Sequence, residues 1–228
     1  MPLNLHDNIL MNKLDIHLLG SLEYAEGLRL QKEFHADILK QERNPSLLLL
    51  EHFPVITLGK NANRDMLLSS EKELKQESIS LHHIERGGEA TAHEPGQLVI
   101  YPLINLRHFS YGARVFVNKL EDCVLDLLRE YKIEARRDDK FPGVWVDSEK
   151  ICSVGIRISQ GVSTHGLALN VSNDLRTFSK IIPCGIQDCR MVTVSELLGK
   201  TVSTEEIAKT FIEIFCRNFH ISEFFIFS

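Results

Sequence analysis

Two thiols stand five positions apart in the segment SKIIPCGIQDCRM, residues 179–191, and the first of them, Cys184, is held between Pro183 and Gly185. A cysteine so placed can be a nucleophile, a metal ligand or small apolar filler. The nucleophile needs partial exposure, a rigid turn and a nearby cation, because the thiolate is the reactive form and a free cysteine has a pKa of about 8.5. Proline fixes the direction of the chain and glycine leaves the line of attack without a side chain, so a thiol between them can meet a substrate carbonyl. Structural zinc sites pair their ligands at short spacing; His165, Cys184 and Cys189 supply no second pair, so no metal is expected. Cysteine is also a small hydrophobe that packs in any core, and this segment by itself leaves catalysis and packing both open.

An activating cation is on offer at Lys150, which opens the strand-like run KICSVGIRI after the turn DSEK; a strand-end lysine is equally a solvated surface charge. His93 in TAHEPG and His165 in THGLA have alanine or glycine beside them, so the backbone can come close to a ligand. Either can instead be a hydrogen-bonded structural histidine. The Cys-His-Asn pattern of papain-like proteases is absent. The polar, glycine-rich IERGGEATAHEPG ahead of the apolar QLVIYPLINL has the composition of a backbone loop facing a ligand.

These groups need a scaffold, and the hydrophobic periodicities supply one. LDIHLLG reads as a strand, and Ser21 then caps a helix carrying Leu30, Phe34 and Ile38 until RNP ends it. LLLLEHFPVITLG reads as two strands interrupted at Pro54, where a ladder loses its donor. A surface loop with some helix is expected over 60–80. Val117, Leu120, Val124, Leu127, Leu128 and Tyr131 make one stripe of a second helix. GVWVD, KICSVGIRI and THGLALNV are strand-like, with DSEK as a hairpin turn. STEE at 203–206 reads as a capping box before a helix with Ile207, Phe211, Ile214 and Phe215 inward. There is no repeat, low-complexity tract or linker, so the 228 residues are expected to form one α+β domain, a mixed sheet with helices on one side.

Composition narrows the function classes. Hydrophobic residues at 43% and charged residues at 25% suit a soluble enzyme-sized fold. No apolar run approaches the ~18 residues of a membrane helix, so no membrane partner is expected. A net charge of -5 argues against a general nucleic-acid binder, and Lys132, Arg136, Arg137 and Lys140 read as solvated surface charge. MPLNLHDNILMNKLD lacks the marks of a signal or transit peptide, and five irregularly spaced cysteines suit a reducing compartment, so a cytoplasmic protein is expected.

Taken in order, LLLLEHFPVITLGK, RGGEATAHEPGQLVIYP, KICSVGIRIS, THGLALNV and PCGI resemble the lipoyl(octanoyl) transferase family from about Leu14 to the C-terminal helix. The resemblance implies the fold shared by biotin protein ligases and lipoate ligases, as a single catalytic domain over residues 1–228 with its core at about 14–220, and no cofactor. It implies transfer of an octanoyl or lipoyl group from acyl carrier protein to a lysine of lipoyl domains, those of 2-oxoacid dehydrogenase E2 subunits and of glycine cleavage H protein. That is the first step of endogenous lipoate biosynthesis.

Carried over residue by residue, Cys184 matches the acyl-accepting thiol, and Lys150 the lysine that favours its thiolate and moves protons. Arg86, Gly87, Gly88, Glu89, Ala90, Thr91, Ala92 and His93, then Ser153, Val154 and Gly155, then Gly166, Leu167 and Ala168 match the substrate-lining segments. The chemistry agrees with these types. A thiol and a thioester exchange at little cost, so the acyl group stays activated for a later amine, and an adjacent ammonium stabilises the thiolate.

Where the family usually shows tyrosine, histidine and glycine, this chain has Ala92, His93 and Glu94. Alanine removes an aromatic wall and is expected to widen the pocket; glutamate brings bulk and charge where glycine allows an unusual backbone angle. These positions keep open a second reading, a non-catalytic or altered-specificity relative that binds acyl carrier or lipoyl domains. An ATP-dependent lipoate ligase is a third. Its RxxGGGxxxH loop is matched poorly by ERGGEATAH, which lacks the third glycine, and it would have no use for Cys184.

Overall fold

The computed structural model describes residues 13–109, 112–138, 140–186 and 189–228. The chain runs β1 (Lys13–Leu22), α1 (Tyr24–Leu39), β2 (Ser46–His52), β3 (Val55–Leu58), α2 (Glu71–Gln76), β4 (Ser80–His83), β5 (Ala90–His93), β6 (Gln97–Leu103) and α3 (Ala113–Glu130). It continues through β7 (Arg136–Arg137), β8 (Gly143–Val146), β9 (Glu149–Ser159), β10 (Val162–Asn170), α4 (Val194–Leu198), α5 (Thr204–Asn218) and β11 (Glu223–Phe227). Eight strands form a mixed sheet in the order β11-β1-β2-β6-β10-β9-β8-β7, and β4-β3-β5 form a second, smaller one.

The run Leu47–Leu50 shows why the large sheet is covered twice. Successive side chains of a strand point to opposite faces. Leu47 and Leu49 join Phe116, Leu120, Val124, Phe211 and Phe215 on the face covered by α3 and α5. Leu48 and Leu50 join Phe34 and Ile38 of α1 on the other. The expectation of helices on one side is therefore corrected: an uninterrupted leucine run is a strand buried on both faces. Replacing one of these leucines by alanine should cost ~2–5 kcal/mol.

Pro54 separates the two sheets. β2 ends at His52 in the large sheet, and β3 pairs with β4 and β5 in the small one. Behind the small sheet Ile56, Leu58, Ala90 and Ala92 pack with Leu74, Phe178, Ile181 and Met191 as a separate cluster.

Local signals decide the helix ends. Ser21 lies in β1, and α1 starts at Tyr24 after Glu23, whose side chain makes no capping bond; the expected serine cap is thus displaced. At α5 the Ser203 hydroxyl accepts from the Glu206 amide at 3.1 Å, which is the serine half of the expected capping box; the Glu206 carboxylate accepts from the Tyr131 hydroxyl at 3.2 Å instead of closing it. Ser70 and Glu73 cap α2 reciprocally, supplying the helix expected within the loop over 60–80. The last strand, β11, lies parallel beside β1 beyond the expected core limit. Among the described residues no helix is long and apolar enough to cross a membrane.

Candidate active site

The first residues of β9 join two segments far apart in the chain. The Lys150 amide donates to Arg190 O at 2.8 Å, and the Val192 amide donates to Lys150 O at 3.1 Å. Lys150 is therefore laced to the segment Arg190–Val192, six residues past Cys184. Its side chain follows: Nζ lies 3.1 Å from Cys184 Sγ, 2.9 Å from Pro142 O and 5.1 Å from the centroid of the Trp145 ring. Only 1% of Lys150 is exposed, so this is not the solvated strand-end charge of the alternative reading.

A buried ammonium needs compensation. Pro142 O and the indole face supply part of it, and the carboxylate of Glu121 lies within electrostatic reach. Glu121 accepts from the Gly143 amide at 2.7 Å and pairs with Arg137 Nε at 3.1 Å; its burial raises its pKa. Gly143 makes the passage for the lysine. Its φ is +131°, and a Cβ there would stand 2.6 Å from Lys150 Cε and collide with Cys152 O.

Cys184 is half-buried at φ 54° and ψ 23°, a left-handed conformation unusual for any residue but glycine or asparagine. Turn bonds from the Gly185 amide to Ile182 O at 3.3 Å and from the Ile186 amide to Pro183 O at 3.0 Å hold it there. The other thiols stay protonated. Burial pushes Cys123 up to about 12 and Cys189 and Cys216 to about 11, and Cys152 is raised still further.

The glycine-rich loop lies flat against β9. Arg86 turns inward, Nη2 donating to Thr57 O at 2.8 Å and Thr57 Oγ1 at 2.9 Å, and Nη1 to Gly87 O at 2.9 Å. Burial lowers its pKa, and the Cys184 sulfur is within its electrostatic reach. Gly155 and Gly166 face each other across β9 and β10. A Cβ on Gly155 would stand 3.1 Å from Gly87 O, and one on Gly166 would collide with Ile100 O. The loop can approach β9 because Gly155 has no side chain, and β10 can lie against β6 because Gly166 has none.

His165, at φ 57°, turns its ring inward and donates its amide to Gln31 Oε1 at 2.7 Å. Gln97 gives its NH₂ to Asn170 Oδ1 at 2.9 Å, so its Oε1 faces His93 and accepts from Nδ1 at 2.8 Å. That bond leaves the lone pair on His93 Nε2. The Tyr101 hydroxyl donates to His52 Nε2 at 2.8 Å while His52 Nδ1 donates to Leu22 O at 2.9 Å. Burial keeps all three imidazoles neutral, lowering His93 to about 3 and His52 and His165 to about 4.

These pieces enclose a cavity of about 460 Å³ with Cys184 and Lys150 in its wall. Its lining includes Arg86, Gly87, Gly88, Glu89, Ala90, Thr91, His93, Ser153, Val154, Gly155, Gly166, Leu167 and Ala168. The hydroxyls of Thr91 and Ser153 are buried without a partner among the described residues, ready for a polar ligand group. Tyr24, Tyr101, Val117 and Phe141–Pro142 also line it and are not flagged by sequence patterns. A Pro-Gly pair ahead of GVWVD is the one signal that could have drawn attention to the last two. Among the described residues no cluster of three His, Cys, Asp or Glu could hold a metal ion.

Two expectations are corrected. Ala92 does not line the cavity: strand alternation sends Thr91 and His93 toward it and Ala90 and Ala92 into the apolar cluster with Phe178. Ala90 reaches both. Ala92 thus cannot widen the acyl pocket by lacking a ring. Glu94 has no left-handed backbone. Its buried carboxylate points away from the cavity, accepting from Asn173 Nδ2 and the Thr177 amide, each at 2.9 Å. The non-catalytic reading rested on these two positions, and both departures serve packing.

Comparison with known proteins agrees with this geometry. The family model of the lipoyl protein ligase A/B catalytic domain matches residues 23–216. An octanoyltransferase of Alkaliphilus metalliredigens is 39% identical over 215 residues, covering 92% of this chain and 98% of the relative. Among solved structures, a lipoate-protein ligase A bound with ATP superposes with a TM-score of 0.74 at 18% identity, over 95% of this chain and 90% of that one. A biotin protein ligase of Aquifex aeolicus superposes with a TM-score of 0.54 at 19% identity, over 90% and 70%. At such identities the structural likeness speaks for the fold, whereas the curated relative and the family model, which span most of the chain, speak for descent. The chain belongs to the lipoyl protein ligase A/B catalytic-domain family and, within it, to the octanoyltransferases.

Proposed function

We propose that Cys184 carries the octanoyl group between two half-reactions, with Lys150 moving the protons. The observation behind this reading is the 3.1 Å contact between Lys150 Nζ and Cys184 Sγ in the wall of a 460 Å³ cavity. In the first half-reaction the Cys184 thiolate attacks the thioester carbonyl of octanoyl acyl carrier protein. The C–S bond to the carrier breaks, and the leaving thiolate takes a proton from the Lys150 ammonium. In the second, the lysine of a lipoyl domain attacks the Cys184 thioester, its nitrogen gives a proton to the now neutral Lys150, and the Cys184 thiolate leaves. Octanoyl acyl carrier protein and lysine become free carrier thiol and octanoyl amide, with protons balanced.

Physical chemistry favours this assignment. Thioester exchange is nearly neutral in free energy, so the intermediate keeps its reactivity for the amine. The cavity lies in the size range of small-ligand pockets, and each methylene buried there contributes ~0.8 kcal/mol. Thr91 and Ser153 line the cavity with buried hydroxyls that lack a partner among the described residues, donors available to the thioester oxygen. The acceptors are the lipoyl domains of 2-oxoacid dehydrogenase E2 subunits and the glycine cleavage H protein, modified in the cytoplasm by a single catalytic domain. The test is intact mass after mixing with octanoyl acyl carrier protein. A hydroxylamine-labile octanoyl adduct absent from Cys184→Ser supports the reading, and full labelling of that variant overturns it.

A further inference from the structure

We propose that Glu89 receives the ammonium of the acceptor lysine, a step that rests on the two-step reading above. Four charged residues line the cavity among those described: Arg86, Lys140, Lys150 and Glu89. Three are basic. An acyl chain on a thioester is uncharged and has nothing to fear from them, but a lysine arrives protonated, with an ordinary pKa of about 10.4, and meets repulsion. Glu89 is the group that can reverse it.

Its position suits the task. A Cβ on Gly185 would collide with Glu89 Oε2 and stand 2.7 Å from its Cδ, so the carboxylate rests on the glycine that directly follows Cys184. The left-handed Gly185, at φ +66°, makes that approach available. The cations nearby are engaged elsewhere: Arg86 with Thr57 and Gly87, and Lys150 with Pro142 O and Cys184 Sγ. The Glu89 carboxylate has no hydrogen-bond or ion-pair partner among the described residues. A half-buried carboxylate left unmatched beside the nucleophile is a receptor for a cation that comes and goes. It holds the incoming nitrogen next to the acyl carbon; the ammonium gives one proton to water to become the nucleophilic amine, and Lys150, neutral after the first half-reaction, takes the second as the amide forms and the Cys184 thiolate leaves. Glu89 is thus a positioning residue for the second half-reaction alone.

The experiment separates the half-reactions in Glu89→Gln, which keeps the side-chain shape. The protein is loaded with octanoyl acyl carrier protein, and loss of the adduct is followed by intact mass with either a lipoyl domain or hydroxylamine, a nucleophile uncharged at neutral pH. Expected are loading within about twofold of the unaltered protein, unchanged cleavage by hydroxylamine, and transfer to lysine slowed about tenfold with a raised KM for the lipoyl domain. Glu89→Asp, which keeps the charge, should recover part of the lysine transfer. Transfer to lysine at the unaltered rate overturns the proposal. So does a parallel loss with hydroxylamine, which would mark Glu89 as a structural support of the turn. Failure of the two-step reading looks different, because the unaltered protein would then take no octanoyl group onto Cys184, and both inferences fall.

Discussion

Lys150 and Met191 face each other as a parallel β-bridge, which ties the head of β9 to the chain seven residues past Cys184. Together with the bond from Lys150 Nζ to Pro142 O at 2.9 Å and its contact with Cys184 Sγ at 3.1 Å, the bridge keeps amine and thiol adjacent. Preorganisation of this kind is what lets a proton donor act without rearrangement in the transition state.

Removing the amine while leaving the bridge intact should therefore separate chemistry from folding. Lys150→Met keeps length and apolar volume but donates no proton. Octanoyl transfer is expected to fall by ~10²–10⁴, the usual contribution of a positioned acid–base group, while far-UV dichroism is unchanged. Iodoacetamide labelling is a second readout. In the unaltered protein one fast-reacting thiol is expected, absent in Cys184→Ser and slowed in Lys150→Met, because the remaining cysteines are held as thiols by burial. Wild-type labelling speed in Lys150→Met would count against the contact.

Gly143→Ala tests the passage around the lysine. The added methyl meets Lys150 Cε at 2.6 Å and the Cys152 carbonyl, at a backbone φ of +131° that alanine resists. Neither strand can yield easily, so a loss of ~2 kcal/mol or more in stability is expected, with a lower thermal midpoint. Activity per folded molecule should fall as well, since the amine is the flexible end that gives way. A variant with full activity would show that Lys150 reaches Cys184 by another route.

What was legible in the chain follows from how tightly each role restricts residue type. The flanking proline and glycine make Cys184 a candidate but leave packing open, and only the resemblance gives it a role; Gly155, Gly166 and the Arg86–Gly88 loop stand out because close backbone approach leaves little room for a Cβ. Tyr24 and Val117 were not legible: on a helix, a residue that lines a ligand cavity obeys the same apolar periodicity as one in the core. The sidedness of the helices was misread because Leu47–Leu50 carries no alternation from which to choose a face. Ala92 was misassigned for the opposite reason. Its motif was recognised as a block, whereas the strand distributes that block over two faces, and only register separates Thr91 and His93 from Ala92.

Glu94→Ala gives a direct check on that last point. Glu94 is 3% exposed and satisfies the Asn173 side-chain amide and the Thr177 main-chain amide. Truncation leaves the buried Thr177 amide unpaired, at about 1–3 kcal/mol, and Asn173 Nδ2 with only its 3.3 Å bond to Asn170 Oδ1. A marked drop in the urea midpoint is expected, with octanoyl transfer by the remaining folded protein within about twofold of the unaltered rate. Loss of transfer without loss of stability would return Glu94 to the substrate site.

The buried imidazoles predict how stability depends on pH. In the unfolded chain His52, His93 and His165 titrate near 6.5, whereas in the fold burial lowers them to about 4, 3 and 4. Between pH 6.5 and 4 the unfolded chain therefore binds protons that the folded chain refuses, and stability must fall as pH falls, being fully present above 6.5. The slope is bounded at about 1.4 kcal/mol per pH unit for each histidine. Glu121 acts in the opposite sense, since burial raises its pKa and its protonation favours the fold at low pH, but it is one carboxyl against three imidazoles. Urea midpoints measured at pH 7.5, 5.5 and 4.5 should decline steadily at constant m-value. A flat profile would mean that these rings titrate in the folded state as they do in the unfolded chain, and their assignment as buried, neutral imidazoles would have to be abandoned.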